Sequence, residues 1–333
     1  MYKRRTKSDL EFIGIDWGSS NFRAYAVDAE GNVKQRTKAH QGIARIKDGN
    51  YVSTLKRLLG KWFNKYPETP VIMSGMIGSH EGWQEVDCVD CPAQLEDLAN
   101  YVEKIVNHRF ERDIYIVPGV RLVRNEQSID FLRGEEVQAL GAALCTAKAG
   151  KQVICLPGTQ TKWVQVENGQ IVNFISFVTG ELYSLLSRQL QQNQMVTTNI
   201  YDPLAVQQGL KLLQEGNGIL SDIFKIKMLL LNEKIQVSSV PSLLSALLVG
   251  SEIDSALKQL SPIKELTVVG ASWLIELYQE ICKGHGVTVS GIKSEDATVR
   301  GFLEISKGLY NEHNTGNTRA SIKQAEMPGF GWK

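Results

Sequence analysis

This chain lacks an excess of either charge, an even set of cysteines and any obvious apolar run of bilayer length. Its 37 Lys and Arg balance 36 Asp and Glu, leaving a formal net charge of +1. Proteins that bind nucleic acid or rest on an anionic membrane usually carry a basic bias, so neither is expected as a partner. The longest apolar candidate, near Met228–Leu231, falls far short of the roughly 20 residues that span a membrane. Five cysteines are odd in number and scattered. Cys88 and Cys91 make one C-x-x-C, but no second pair or nearby His completes a zinc site. Reduced structural thiols in a cytoplasmic protein are the expectation. The first ten residues carry Lys3, Arg4, Arg5 and Lys7 with no apolar signal-peptide core behind them. They read as a solvated leader.

What is present is core-forming material. Of 333 residues, 43% are hydrophobic, enough for one large or two packed domains, and two are favoured. The opening stretch from Phe12 to Val27 organises the reading. Phe12, Ile13 and Ile15 suit a buried strand, and Ala24, Tyr25, Ala26 and Val27 a second one returning beside it. Between them, Gly18, Ser19, Ser20 and Asn21 have little bulk, so backbone amides can approach an anion and hydroxyls add donors. Asp16, at the strand end, can hold magnesium through water. Alone, this is also how an ordinary hairpin reads.

Further along, Tyr51, Leu55, Leu58, Leu59, Trp62 and Phe63 recur at helical spacing over residues 51–64. Val71–Met73 is a short strand that breaks into Ser74, Gly75, Met76, Ile77, Gly78 and Ser79, a place where ligand can touch backbone. Pro92 is read as the first residue of a helix whose stripe is Leu95, Leu98, Val102 and Ile105. After a strand at Ile114–Val117, Gly134 opens a helix with Glu135 and Glu136 in its first turn. The helix dipole and free amides there favour ionised carboxylates. Neighbouring helical residues do not share a face, so one glutamate can face a cleft while the other stays in solvent.

The second half repeats the opening: a strand at Val153–Leu156, a small hydroxyl-rich turn over Pro157, Gly158, Thr159, Gln160, Thr161 and Lys162, then a strand from Trp163. An Asn168–Gly169 hairpin signal follows. Two such units in facing domains can grip one nucleotide's phosphates from both sides. Helices are expected from Thr179, from Pro203 after an Asp202 cap, and from Pro241. Leu266–Val269 runs into a Gly270–Ala271–Ser272 turn, where a ring or phosphate can lie against backbone. A last strand lies at Val287–Val289, and a last helix begins near Asp296. A weakly ordered polar tail is expected after Leu309.

Together, GIDWGSSNFRAY, SGMIGS, Gly82–Trp83, Cys91–Pro92–Ala93, FLRGEEVQALGA, LPGTQTKWV, TGEL and VVGAS stand in an order with a family precedent. From about Phe12 to about Ser306 the chain resembles the 2-dehydro-3-deoxygalactonokinases, sugar-acid kinases of the actin/hexokinase/Hsp70 superfamily. The resemblance implies an α/β fold of two ribonuclease-H-like domains around a central cleft, here 11–148 and 149–310, between a leader (1–10) and a tail (311–333). The last helix is expected to pack back on the first domain. It implies ATP and Mg2+ as cofactors and a small sugar-acid substrate, phosphorylated on the 6-hydroxyl of 2-dehydro-3-deoxy-D-galactonate. A homodimer is left open.

By position, Asp16 resembles the magnesium-associated aspartate, and Gly18, Ser19 and Ser20 the first phosphate loop. Gly158, Thr159 and Lys162 resemble the second loop, and Gly270 with Ala271 the adenosine turn. The proton acceptor is assigned to Glu135 or Glu136, with Glu136 favoured by analogy to exopolyphosphatases. Arg23 and Arg133, ahead of Arg121 and Arg124, are the candidates to grip the substrate carboxylate, with Ser74, Gly75 and Met76 beside it. An exopolyphosphatase-like phosphohydrolase, a non-catalytic sugar-acid sensor and an actin-like filament or chaperone ATPase are the rival readings.

Overall fold

The computed structural model describes residues 10–106, 110, 112–125, 128–190, 201–216 and 218–315, with side chains as far as residue 309. The basic leader up to residue 9 and the tail from residue 316 lie outside the described residues.

The first lobe comprises β1 (Phe12–Trp17), β2 (Phe22–Val27), β3 (Val33–Ala39), α1 (Tyr51–Lys65), β4 (Val71–Ser74), β5 (Val89–Asp90), α2 (Leu95–Asn100), β6 (Glu103–Lys104), β7 (Ile114–Ile116), β8 (Val120–Asn125), β9 (Ser128–Leu132) and α3 (Glu135–Thr146). The second comprises β10 (Lys151–Leu156), β11 (Thr161–Glu167), β12 (Gln170–Phe177), α4 (Thr179–Leu190), α5 (Pro203–Glu215), α6 (Ile219–Leu231), α7 (Val240–Leu260), β13 (Glu265–Val269), α8 (Ser272–Lys283) and β14 (Thr288–Ile292). The final helix, α9 (Ser294–Thr315), packs against α3 and α2 of the first lobe.

The two main sheets share one topology. The first has the order β3-β2-β1-β4-β7-β6, and the second β12-β11-β10-β13-β14. In each, an antiparallel meander of three strands is joined through its first strand to parallel neighbours. This is the expected pair of ribonuclease-H-like sheets, the α/β fold of actin-like ATPases. Sequence pattern explains the placement. β1 is wholly buried because it is central and covered on both faces, whereas β3 alternates half-buried and exposed residues as an edge strand with outward Lys34, Arg36 and Lys38.

Alternation along β1 also sorts the cores. Ile13, Ile15 and Trp17 join the cluster under α1, while Phe12 faces the other way, into a cluster that includes Val137, Ile154, Val164 and Phe302. That second cluster takes residues from both lobes, so one core runs through the hinge. Where α3 crosses α9, Gly141 meets the Ala297 carbonyl and Gly301 meets the Val137 carbonyl, each so closely that a Cβ would overlap it.

Several expectations need correction. α2 begins at Leu95, capped by Gln94 with Asp97 reaching back, so Pro92 lies outside it and Val102 and Ile105 follow it. A third sheet, β5-β8-β9, and helix α6 were not anticipated. The run Val237–Leu260, missed as the longest apolar stretch, is long and apolar enough to cross a membrane, but 72% of its apolar window is buried within the protein. It is a core helix. α9 continues to Thr315, beyond the expected start of the tail.

Gly141→Ala is expected to force α3 and α9 apart. Overpacking of this kind costs about 1–3 kcal/mol, and a scanning calorimetry trace should show Tm lowered by several degrees.

Candidate active site

Strand alternation sends the Asp16 side chain to the same face as Phe12 and Gly14, toward α3, at the carboxyl end of β1. The chain then turns through Gly18–Asn21, and its carbonyls are all committed. Ile43 N–H donates to Gly18 O at 3.0 Å, Ala44 N–H to Ser19 O at 3.2 Å and Gly42 N–H to Ser20 O at 3.0 Å. Because the peptide unit is planar and trans, the next N–H points opposite each carbonyl. The amides of Ser19, Ser20 and Asn21 are therefore aimed away from the 42–44 segment. Gly42 makes the approach possible, since any Cβ there would overlap the Ser19 carbonyl.

The second turn is built alike. After β10, Gly158 and Thr159 rest on the start of α4, where Glu181 N–H donates to Thr159 O at 2.8 Å and a Cβ on Gly180 would overlap the Gly158 carbonyl. Both turns line one cleft of about 500 Å3, with Asp16, Gly18, Ser19, Ser20 and Asn21 on one wall and Pro157, Gly158, Thr159 and Gln160 on the other. Glu135, Gln138, Met76, Ser79, Phe131 and Arg133 complete the first wall, and Val269 and Ser294 the second.

The two glutamates separate, but not as expected. Glu135 faces the cleft, half-buried, with Oε2 accepting from the Arg133 N–H at 2.9 Å. Burial pushes its carboxyl above the ordinary range, opposed by the Lys162 charge and by amides at the helix start. Glu136 is not in solvent. It is fully buried behind the cleft wall, with Oε2 accepting from Gly134 N–H at 2.6 Å and Oε1 lacking a hydrogen-bond partner. Burial, then the neighbouring Glu135 charge, pushes its carboxyl up to about 8. The preference for Glu136 as the cleft carboxylate is thereby corrected, because Gly134, at φ 109°, starts α3 with Glu135 turned outward.

The four candidate arginines separate as well, with Arg23 and Arg133 lining the cleft. Arg133 donates to Gly78 O, to Val86 O at 3.1 Å and to Cys88 Sγ at 3.1 Å, so it fastens the 76–86 loop. Arg121 forks onto Asp90, and Arg124 donates to Asn173 and the Phe174 carbonyl in the other lobe. Arg23 reaches the cleft, where Nη1 pairs with Asp16 Oδ2 at 2.7 Å. Lys162, expected in the phosphate loop, has its three donors on Phe131 O, Gln160 Oε1 and Ser176 Oγ at 2.9, 3.3 and 2.6 Å. It ties the lobes together.

Ser74 is buried, and a Cβ on Gly75 would crowd the Trp17 backbone, so both sit behind the wall that Met76 lines. Gly270 and Ala271 follow Val269 at the end of β13, on the second lobe's side of the cleft. Sequence reading missed Gln138, one helical turn after Glu135, whose Nε2 lies 3.5 Å from Asp16 Oδ2. Its spacing of three residues from Glu135 was the available signal. Gly42 carried none.

A protein-family model for 2-keto-3-deoxy-galactonokinase matches residues 16–305. The chain belongs to that family. It is 27% identical to the 2-dehydro-3-deoxygalactonokinase of Escherichia coli (strain K12), over 90% of this chain and 99% of that one. It is 26% identical to a Rhizobium meliloti (strain 1021) protein assigned as 2-dehydro-3-deoxygalactonokinase DgoK1, over 90% and 97% of the two chains. A crystal structure described as a 2-dehydro-3-deoxygalactonokinase protein from Sinorhizobium meliloti superposes with a TM-score of 0.79 at 25% identity, covering 90% of this chain and 99% of the other. As a member of this sugar-kinase family, the chain has an ATP-using fold.

The buried Glu136 of this kinase gives a stability signature. Its folded-state pKa of about 8 lies above the ordinary 4.5, so between those values the native state holds a proton that the unfolded chain releases. Stability then falls as pH rises across that window. Glu136→Gln removes the titration, and its Tm is expected to decline less than wild type between pH 5 and pH 8.5. Parallel melting curves for the two proteins would refute the assignment.

Proposed function

We propose that the protein is an ATP-dependent kinase that phosphorylates the 6-hydroxyl of 2-dehydro-3-deoxy-D-galactonate, with Mg2+ as the metal. The observation that carries this reading is the pair of backbone turns, Gly18–Asn21 and Gly158–Gln160, lining one cleft with a half-buried carboxylate, Glu135, between the lobes. Family membership supports the substrate class.

The donors fit the cofactors. Amides turned out of the first loop suit phosphate oxygens, and Asp16 is a mostly buried carboxylate at the cleft floor. Magnesium favours one or two carboxylates together with water and phosphate oxygens. Asp16 would hold it, and when bound it supplies positive charge against the transferring phosphoryl group. Phosphoryl transfer asks for alignment and charge neutralisation more than covalent help. Glu135 takes the proton from the attacking hydroxyl. Its raised pKa makes it a stronger base than an exposed glutamate, and the helix start keeps it able to ionise. Arg23 is the cleft arginine whose partner is itself a cleft carboxylate, so it can pass from Asp16 to an incoming anion. Met76 and Ser79 shape the wall against which the sugar acid lies. Closure of the cleft excludes water, so the alcohol receives the phosphoryl group.

Coupled measurement of ADP release with ATP, Mg2+ and a panel of 2-keto-3-deoxy sugar acids tests the reading. Turnover that depends on the galactonate-derived acid is expected, and ATP hydrolysis indifferent to every sugar acid would overturn it. Glu135→Gln is expected to lower kcat about 10²–10⁴-fold, the usual worth of a positioned base, while Glu136→Gln keeps most of it. The reverse pattern would return the base to Glu136. Because Glu135 works ionised and its pKa is raised above the ordinary 4.5, kcat should fall on the acid side with an apparent pKa above that value. A limb centred at or below 4.5 would count against it.

A further inference from the structure

A buried carboxylate that the proposed chemistry does not use lies beneath the second turn. Glu252 of α7 is 3% exposed. Its Oε1 accepts from Trp163 Nε1 at 2.9 Å and from Tyr278 Oη at 2.6 Å, its Oε2 accepts from Thr179 Oγ1, and the Thr161 hydroxyl also bonds to it. Four donors match the roughly four lone-pair sites of a carboxylate. Two of them flank the phosphate turn. Thr161 begins β11 directly after Gln160. Thr179 begins α4 immediately before Gly180 and Glu181, the residues that press on Gly158 O and bond to Thr159 O. Both ends of the Gly158–Gln160 turn are thus threaded to one buried charge. Trp163 lies on β11 two residues beyond Thr161 and Tyr278 on α8, and neither belongs to the Gly158–Gln160 turn or to the start of α4.

We propose that Glu252 is a positioning residue for the nucleotide, fixing the second phosphate turn through Thr161 and Thr179. The inference rests on the kinase reading above and extends it to a residue in the helical part of the second lobe. A carboxylate used only to hold the core together would make all four donors equivalent for catalysis. Glu252 as a positioner makes the two threonines matter for ATP and the two aromatic donors matter for stability alone.

The test compares Thr179→Val with Trp163→Phe in the full-length protein, each removing one donor at nearly constant shape. Loss of a hydrogen bond to a charged group corresponds to about a tenfold change in an equilibrium. Thr179→Val is therefore expected to raise KM for ATP and weaken Mg-ATP binding in calorimetry about tenfold, with little change in KM for the sugar acid. Trp163→Phe should lower Tm comparably and leave ATP affinity within about twofold. Thr179→Ser, which keeps the hydroxyl, should restore wild-type affinity. Should Thr179→Val fail to fold, Thr161→Val cuts the other thread with the same expected rise. Equal effects of the threonine and tryptophan variants on ATP affinity, or none from either, would overturn the inference while leaving the kinase reading intact. A wild-type protein that binds no ATP would remove both.

Discussion

The cleft depends on two places where backbone passes backbone with no side chain between. Gly42 lies under the Ser19 carbonyl and Gly180 under the Gly158 carbonyl. Each contact anchors a turn from behind. At the first turn the anchoring is complete, with three successive carbonyls held by N–H groups of residues 42–44. Peptide planarity then does the rest, since a carbonyl fixed backward is an amide fixed forward. On the proposed reading such a site would need no lysine to attract phosphate, because its amides are already held in place by backbone contacts.

Rigid turns would be of little use on lobes that drifted independently. Two features hold the lobes in relation. The glycine crossing of α3 and α9 lets two helices far apart in sequence share one core with strands of both sheets. At the opposite edge, Lys162 bonds to the Phe131 carbonyl, Ser176 Oγ bonds to Asp130, and Ala93 pairs with Ile171 across the lobes. The unanticipated β8–β9 hairpin exists in this context. Its residues Arg124, Asp130 and Phe131 supply first-lobe partners for β11 and β12 of the second.

How much of this was legible in the sequence follows from the range of each signal. Local signals worked. The apolar runs of β1 and β10 and the small residues after them gave both turns, and the helical spacing from Tyr51 gave α1 to within a residue. Signals that depend on distant partners failed. Nothing local distinguishes an arginine that grips ligand from Arg133, whose donors go to the carbonyls of residues 78 and 86. Pro92 has the look of a helix start, but Gln94 and Asp97 form the capping box and place the start at Leu95. Adjacent glutamates announce a helix N-terminus without saying which faces outward. That depends on the phase of α3, which is set by Gly134 at positive φ packed against Gly75. The glutamate favoured by analogy was the one the helix phase buries.

The partners of the cleft's charged side chains bear on how a triphosphate would be neutralised there. Among the described residues, three side-chain cations line the cleft: Arg23, Arg133 and Lys162. Arg133 and Lys162 have donors engaged by carbonyls and by Ser176 and Gln160, and Arg23 is matched by Asp16. Asp16 and Glu135 add negative charge to the same space. On the proposed reading an incoming polyphosphate would meet amide dipoles and an arginine already paired, so most of its charge would have to be balanced by a cation that arrives with it. Asp16 would hold a divalent ion that serves that need, and the Arg23 guanidinium that Asp16 now pairs with would then be open to another anion. On the kinase reading proposed above, the Arg23–Asp16 ion pair at the cleft floor would couple the arrival of the nucleotide to the freeing of a positive group for an anionic substrate.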